Sequence, residues 1–391
     1  MRNKLNVLIV AIAGHFLDHF FILSFSVLIP VFKEIFSVNY TQIGITGNII
    51  YFVFGLGAPI SGFLIDRIGA LKVIKIYALG STVALFMIVL SPSFHLVIAG
   101  FVVLGIFASL FHPAGYSFIT LNIKEPGTAL GIMGVFGTLS VALTPVIISS
   151  LAHFLGWRKA LLILGVVAGI YSIMLIKFGK EGKFSGKREK TKEHAEKEYL
   201  LVPLIFILTF GALNGFTYRG FVTYLPSFFT EKAGGMLVKG GLYSTLVLLS
   251  GIVGQIIGGK LAESSKREIY YVAVTFFSLP FLLATYLSSG NIVLFTTIGF
   301  SLMYFGFQPL SNRLIAAYTT SRFRGRFYGL TFFLNFGIGS LAVSIGGYMA
   351  DRFGIHSVFL LISISLFLAF LIGLGLLGYL KVHGRESFSE D

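Results

Sequence analysis

The chain has 391 residues, of which 55% are hydrophobic and only 12% charged, with 42 phenylalanines, 46 glycines and a formal net charge of +14. Soluble domains carry roughly 25% charged residues, so this chain lacks the polar side chains to coat a globule of its length, and membrane insertion is the direct reading. The absence of cysteine excludes disulfides and thiolate metal sites.

A helix crosses the hydrocarbon core with about 20 apolar residues. By that measure an all-α integral membrane protein with twelve spans is predicted, at 5–32, 40–64, 71–91, 95–121, 127–151, 159–178, 200–229, 239–262, 269–288, 291–317, 326–350 and 356–380. The opening MRNKLNVLIV reads as part of an uncleaved first span, because the apolar run is too long for a signal sequence and no small-residue cleavage site follows.

Lysine and arginine set the expected orientation. With a cytoplasmic N-terminus, 22 basic residues fall inside and six outside, while Arg219 and Arg313 lie within spans. Both termini are therefore expected in the cytoplasm of a cell that holds the protein in its inner (plasma) membrane. The basic excess becomes a topology signal and nucleic-acid binding drops out. The polar stretch at 179–198 reads as a solvated cytoplasmic linker between a bundle at 1–178 and a second at 199–391 with a short tail.

The two halves repeat. Gly127, Gly131 and Gly156 fall on Gly325, Gly329 and Gly354 at an offset of 198. His112-Pro113 falls on Gln308-Pro309 and Pro30 on Pro226 at 196, and Gly62 and Asp66 fall on Gly259 and Glu263 at 197. Matches in order with slowly drifting offsets argue for duplication. A duplicated six-span unit is the plan of transporters whose substrate site lies between the halves.

Titratable residues well inside spans are few. They are His15, Asp18 and His19 in span 1, His112 in span 4, Arg219 in span 7 and Arg313 in span 10, the first span of each group of three. A lone charge facing lipid costs several kcal/mol, so these helices are expected to share a polar space. Positions 15, 18 and 19 lie on one helix face. Asp18, with His15 and His19, is the candidate proton carrier. His112, Arg219 and Arg313 are candidate substrate contacts, together with Asn214, Tyr218 and Gln308. The pattern His-x-x-Asp-His plus His112 also offers ligands for a divalent metal as cargo. Two arginines in the same cavity favour an anionic or polar organic compound instead.

Between spans 2 and 3 stands GFLIDRIGALK, residues 62–72. Gly62, Leu64, Asp66, Arg67, Gly69 and Lys72 match the loop pattern of the major facilitator superfamily, which the whole chain resembles. The resemblance implies two pseudo-symmetric six-helix bundles that rock about a central site. It also implies gating by Gly62, Asp66, Arg67, Gly69 and Lys72, with Glu263 surviving in a degraded second copy. HFLDHF, FSVNYTQIG (36–44) and LFHPAG (110–115) are similar to the fosmidomycin-resistance branch. That narrower resemblance implies efflux of small drugs by proton antiport. Many such antiporters carry an arginine early in span 4; here Phe101 stands four residues before Gly105.

Phosphate-binding GxxxxGK[ST], HExxH and GxSxG motifs do not occur, and no soluble region is large enough for an active site. The expectation is a monomeric secondary transporter of a small organic compound, with protons and the bilayer as its other partners and no cofactor. A divalent metal transporter and a non-transporting receptor on the same scaffold are the alternatives.

Overall fold

The computed structural model describes residues 4–177 and 200–384, the side chains of 321–325 excepted; the linker expected at 179–198 lies outside them. Among the described residues twelve helical segments are long and apolar enough to cross a membrane. The first six spans are α1 (Lys4–Phe36), α2 (Tyr40–Ile68), α3 (Ala70–Leu90), the pair α4 (Phe94–Ala108) and α5 (Phe111–Asn122), α6 (Gly127–Leu155) and α7 (Trp157–Lys177). The second six are α8 (Leu201–Lys232), α9 (Leu237–Ala262), α10 (Arg267–Leu287), the pair α11 (Ile292–Tyr304) and α12 (Phe307–Ala317), then span 11 and α15 (Ser357–His383). Span 11 is itself composite. It runs through α13 (Ser321–Phe332), a π-helical turn at Phe333–Gly337, a 3-10 turn at Ile338–Ser340 and α14 (Leu341–Phe353).

The duplication reappears in the backbone. Span 4 breaks at Ser109–Leu110 and span 10 at Phe305–Gly306, each just before its x-Pro pair. Pro113 and Pro309 each sit in the first turn of the following helix, where a missing N–H costs no helical bond. Span 5 ends on Gly156 at φ 85° and span 11 on Gly354 at φ 83°, left-handed positions that favour glycine.

We call the face holding the start of α1 and the end of α15 the terminal face, and the opposite one the distal face. On the distal face the first six spans press against the last six. A Cβ added at Gly44 of α2 would stand 2.6 Å from the carbonyl of Val343, and one at Gly347 of α14 would stand 2.2 Å from that of Tyr40. One added at Gly241 of α9 would meet Pro145 O of α6 at 2.6 Å. Only hydrogen fits at those crossings. The Asp351 carboxylate, at the end of span 11, accepts from the Tyr40 and Thr41 backbone N–H at 3.0 and 2.7 Å and from the Thr41 hydroxyl at 2.7 Å. It thereby caps the start of α2 from the other half of the chain, where a negative charge suits the helix dipole. Tyr40 also donates to Glu231 of α8. The same helices diverge toward the terminal face. Gly62 of α2, Gly131 and Gly134 of α6, Gly259 of α9 and Gly329 of α13 have no atom within 4 Å of a would-be Cβ.

Candidate functional site

The polar groups of span 1 come together with His112 at mid-depth. His15, Asp18 and His19 share one face of α1, and the break in span 4 turns His112, in the first turn of α5, toward them. Gly137 of α6 makes room for the His15 ring: a Cβ there would stand 2.3 Å from His15 Cε1. Two buried tyrosines fix the height of α1. Tyr77 donates to the Gly14 carbonyl at 3.0 Å and Tyr171 to that of Val10 at 2.9 Å.

His15 Nδ1 lies 2.8 Å from the Met133 carbonyl, which only accepts, so Nδ1 carries the proton and Nε2 of the neutral ring presents a lone pair. That Nε2 stands 3.3 Å from His112 Nε2 and 3.2 Å from His19 Nε2. Behind His112, Asp18 Oδ2 lies 3.2 Å from Nδ1. Asp18 is 0% exposed and neither of its oxygens has an aligned hydrogen-bond donor.

Arg219 of α8 is 1% exposed. Its guanidinium lies 4.0 Å over the Tyr51 ring and 4.8 Å over that of Phe336. The Tyr51 hydroxyl is tied to Ser26 of α1 at 2.5 Å. Nε and Nη2 of Arg219 find no hydrogen-bond acceptor. A wall of aromatic rings joins the arginine to the histidines. Phe336 stacks on Phe332 at 4.4 Å, and Phe332 lies 5.3 Å from the His112 ring. Phe54 of α2 closes the wall, 5.5 Å from Phe336 and 5.9 Å from His112. The site thus draws on both halves. On one side are three imidazoles and a carboxylate; on the other is a cation with two free donors.

The remaining candidates stand at various distances from this centre. Tyr218 is half-buried, its ring 5.9 Å from the Arg219 guanidinium. Asn214 is fully buried; its amide donates to Phe210 O at 3.0 Å and its own carbonyl accepts from Tyr304 at 2.6 Å. Gln308 is exposed and accepts from Gln255 at 2.9 Å, which in turn accepts from Thr138 of α6 at 2.9 Å. Arg313 is half-buried on α12. Of the residues expected to form a gate, Asp66, Arg67, Lys72 and Glu263 are exposed on the terminal face. Gly69 takes φ 89° between α2 and α3, and the Arg67 guanidinium lies 4.2 Å over the Phe63 ring. Phe101, where an antiporter arginine is commonly found, is fully buried against Phe25 and Phe32.

Sequence reasoning missed Tyr51, Phe332 and Phe336, because aromatic residues are too common in this chain to stand out. It also missed the π turn of span 11, whose nearest signal is the glycine pair in FGIGS at 336–340. That turn brings Asn335 against Gly215 of α8, where a Cβ would stand 2.4 Å from Asn335 Cα. Such turns are frequent at functional sites.

Known proteins agree with this architecture. Over 257 residues the chain is 25% identical to a probable sulfoacetate transporter of Cupriavidus necator; the match covers 61% of this chain and 60% of that protein, less than two thirds of its length. It is 24% identical over 357 residues to a multi-drug resistance efflux pump of Streptococcus pneumoniae, covering 84% and 86%. The fold superposes with a TM-score of 0.82 and 14% identity, over 100% of both chains, on a bacterial homologue of the human lysosomal transporter Spinster in an inward-facing and occupied conformation. The sequence model of the Major Facilitator Superfamily matches residues 11–343 and 241–389. With twelve apolar spans and that match over most of its length, this chain is a multi-pass membrane protein that belongs to the Major Facilitator Superfamily.

Proposed function

We propose that the protein is a secondary active transporter that exports a small organic anion across the plasma membrane in exchange for protons, by alternating access. The observation that carries this reading is Arg219. A guanidinium shut away from water at mid-span, with two donors unused, is costly unless something negative completes it. A carboxylate, sulfonate or phosphonate would supply paired oxygens for Nε and Nη2, the charge-assisted geometry in which arginine excels. The aromatic rings beside Arg219 would hold the organic part of the substrate. Asp18, His15 and His19 take the part of proton carriers, and Gln308, Asn214, Tyr218, His112 and Arg313 that of further substrate contacts. The gate residues Gly62, Asp66, Arg67, Gly69, Lys72 and Glu263 act when the terminal face closes. The C. necator relative is named for an organic sulfonate and the S. pneumoniae relative for efflux, which supports the anion and the direction respectively. With both termini cytoplasmic, the sealed distal face is the outer one and the conformation described is inward-facing. The protein works as a monomer in this reading, with bundles at 1–178 and 199–391.

The test is a thermal-shift screen of the purified protein against small carboxylates, sulfonates, phosphonates and uncharged drugs, since a ligand stabilises by mass action. Hits are then followed in proteoliposomes with an imposed pH gradient. Expected are stabilisation by an anion and its gradient-driven movement, both lost in Arg219→Gln. Transport of an uncharged compound at wild-type rate by Arg219→Gln would overturn the assignment.

A further inference from the structure

We propose that His15, His19 and His112 form a binding site for a divalent transition-metal ion of zinc's coordination preference, held through their three Nε2 atoms. The inference rests on geometry and goes beyond the anion reading, on which it does not depend.

Tetrahedral metal–imidazole bonds of about 2.0–2.1 Å place neighbouring ligand nitrogens roughly 3.3–3.4 Å apart. The two Nε2 separations at His15 are 3.3 and 3.2 Å. The third pair is wider: the ligating atoms of all three rings lie within 4.8 Å of one another, so His19 and His112 have to draw closer to each other by up to about 1.5 Å to share an ion. Without an ion, the single His15 Nε2 lone pair would have to accept from both His19 and His112, and His112 would then turn an unprotonated Nδ1 toward Asp18.

The surroundings point the same way. A metal-bound imidazole characteristically has its second nitrogen held by a carbonyl or carboxylate, which fixes tautomer and ring angle. His15 Nδ1 is held by the Met133 carbonyl at 2.8 Å, and His112 Nδ1 stands 3.2 Å from Asp18 Oδ2, close enough for a small ring rotation to align the pair. Both rings therefore present Nε2 to the shared point. Gly137 is the residue that lets the His15 ring reach it. Three protein ligands leave a fourth position open, as in zinc sites that take an exchangeable ligand. Arg219 stands across the aromatic wall from the histidines, and its positive charge opposes a cation among them. The Asp18 carboxyl stands 3.2 Å behind His112 Nδ1, and a cation bound by the rings would favour its ionised form. A bound ion takes up the imidazole lone pairs, so zinc is expected to inhibit transport rather than to drive it.

The experiment uses the full-length, tag-free protein, stripped with a chelator and titrated with Co2+ at neutral pH. Expected are one ion per chain, the intense visible bands of a four-coordinate nitrogen-ligated Co(II), and displacement by Zn2+. The triple variant His15→Gln/His19→Gln/His112→Gln should lose the bands, and Asp18→Asn should weaken binding about 10- to 100-fold. His95→Gln/His153→Gln, which alters histidines outside the cluster, should keep them. Wild-type protein that binds no Co2+, or gives only the faint bands of octahedral ions, overturns the site even if the triple variant fails to fold. So does full binding by that variant. Arg219→Gln separates the two proposals: it should lose anion stabilisation while retaining the Co(II) spectrum, and either result can fail without the other.

Discussion

In the proposed cycle Arg219 binds the anion and Asp18 carries the proton, and the two should fail in different ways when changed. Charge-assisted hydrogen bonds of about 1.5–3 kcal/mol put the cost of Arg219→Gln at roughly 10- to 100-fold or more in anion affinity. Arg219→Lys keeps the charge but not the paired donors, and should recover only part of that loss in the same titration. Asp18→Asn preserves shape and cannot release a proton. Substrate exchange across a liposome membrane should survive in it, while movement driven by a pH gradient should stop; a gradient that still drives transport would remove Asp18 from the coupling path. The two residues were unequally legible. His15, Asp18 and His19 are titratable at helical spacing in an apolar run, and no packing need explains them. The aromatic partners of Arg219 and His112 were hidden, because Tyr51, Phe332 and Phe336 look like ordinary packing in a chain with 42 phenylalanines.

At the scale of the element, hydrophobic runs located the spans and side-chain geometry decided their interiors. The first span was expected at 5–32 and runs Lys4–Phe36; the tenth was expected at 291–317 and runs Ile292–Ala317, though it is broken at Phe305–Gly306. Helix ends overrun the apolar windows because polar caps and turns continue the hydrogen-bond ladder beyond the hydrocarbon. The breaks in spans 4 and 10 were foreshadowed by their x-Pro pairs. The π turn of span 11 was not, since it arises where Gly215 and Gly339 let two backbones touch, a property of the pair of helices. Gly215→Ala would force a Cβ to 2.4 Å from Asn335 Cα and should destabilise the protein by about 1–3 kcal/mol. Gly165→Ala, whose new Cβ would meet Leu85 at 3.5 Å, serves as the control and should melt like wild type. Equal melting of the two variants would show that the π turn yields without cost.

For the molecule as a whole, one set of helices is tight at one face and apart at the other. Spans 2, 8 and 11 carry distal glycines whose neighbours exclude a Cβ (Gly44, Gly241 and Gly347), and spans 2, 5, 8 and 11 carry glycines toward the terminal face with open space (Gly62, Gly131, Gly259 and Gly329). In an alternating cycle the second group would become the tight one. Gly131→Leu and Gly329→Leu should therefore fold with wild-type melting behaviour yet transport poorly, a separation that proteoliposome assays beside melting curves would reveal. The repeat made this symmetry legible, pairing Gly62 with Gly259 and Gly131 with Gly329. Which face was closed was not legible, because closure depends on contacts between distant segments such as Asp351 with Tyr40 and Thr41. Those contacts give the most direct test of alternating access. The chain has no cysteine, so spin labels can be placed at Ile45 and Tyr348 on the distal ends of spans 2 and 11, or at Phe63 and Leu330 toward their terminal ends. All four side chains are exposed. Removing the cap with Asp351→Ala should lengthen the distal distance and shorten the terminal one, measured by electron–electron double resonance in liposomes. Unchanged distances, or both moving in the same direction, would contradict the account.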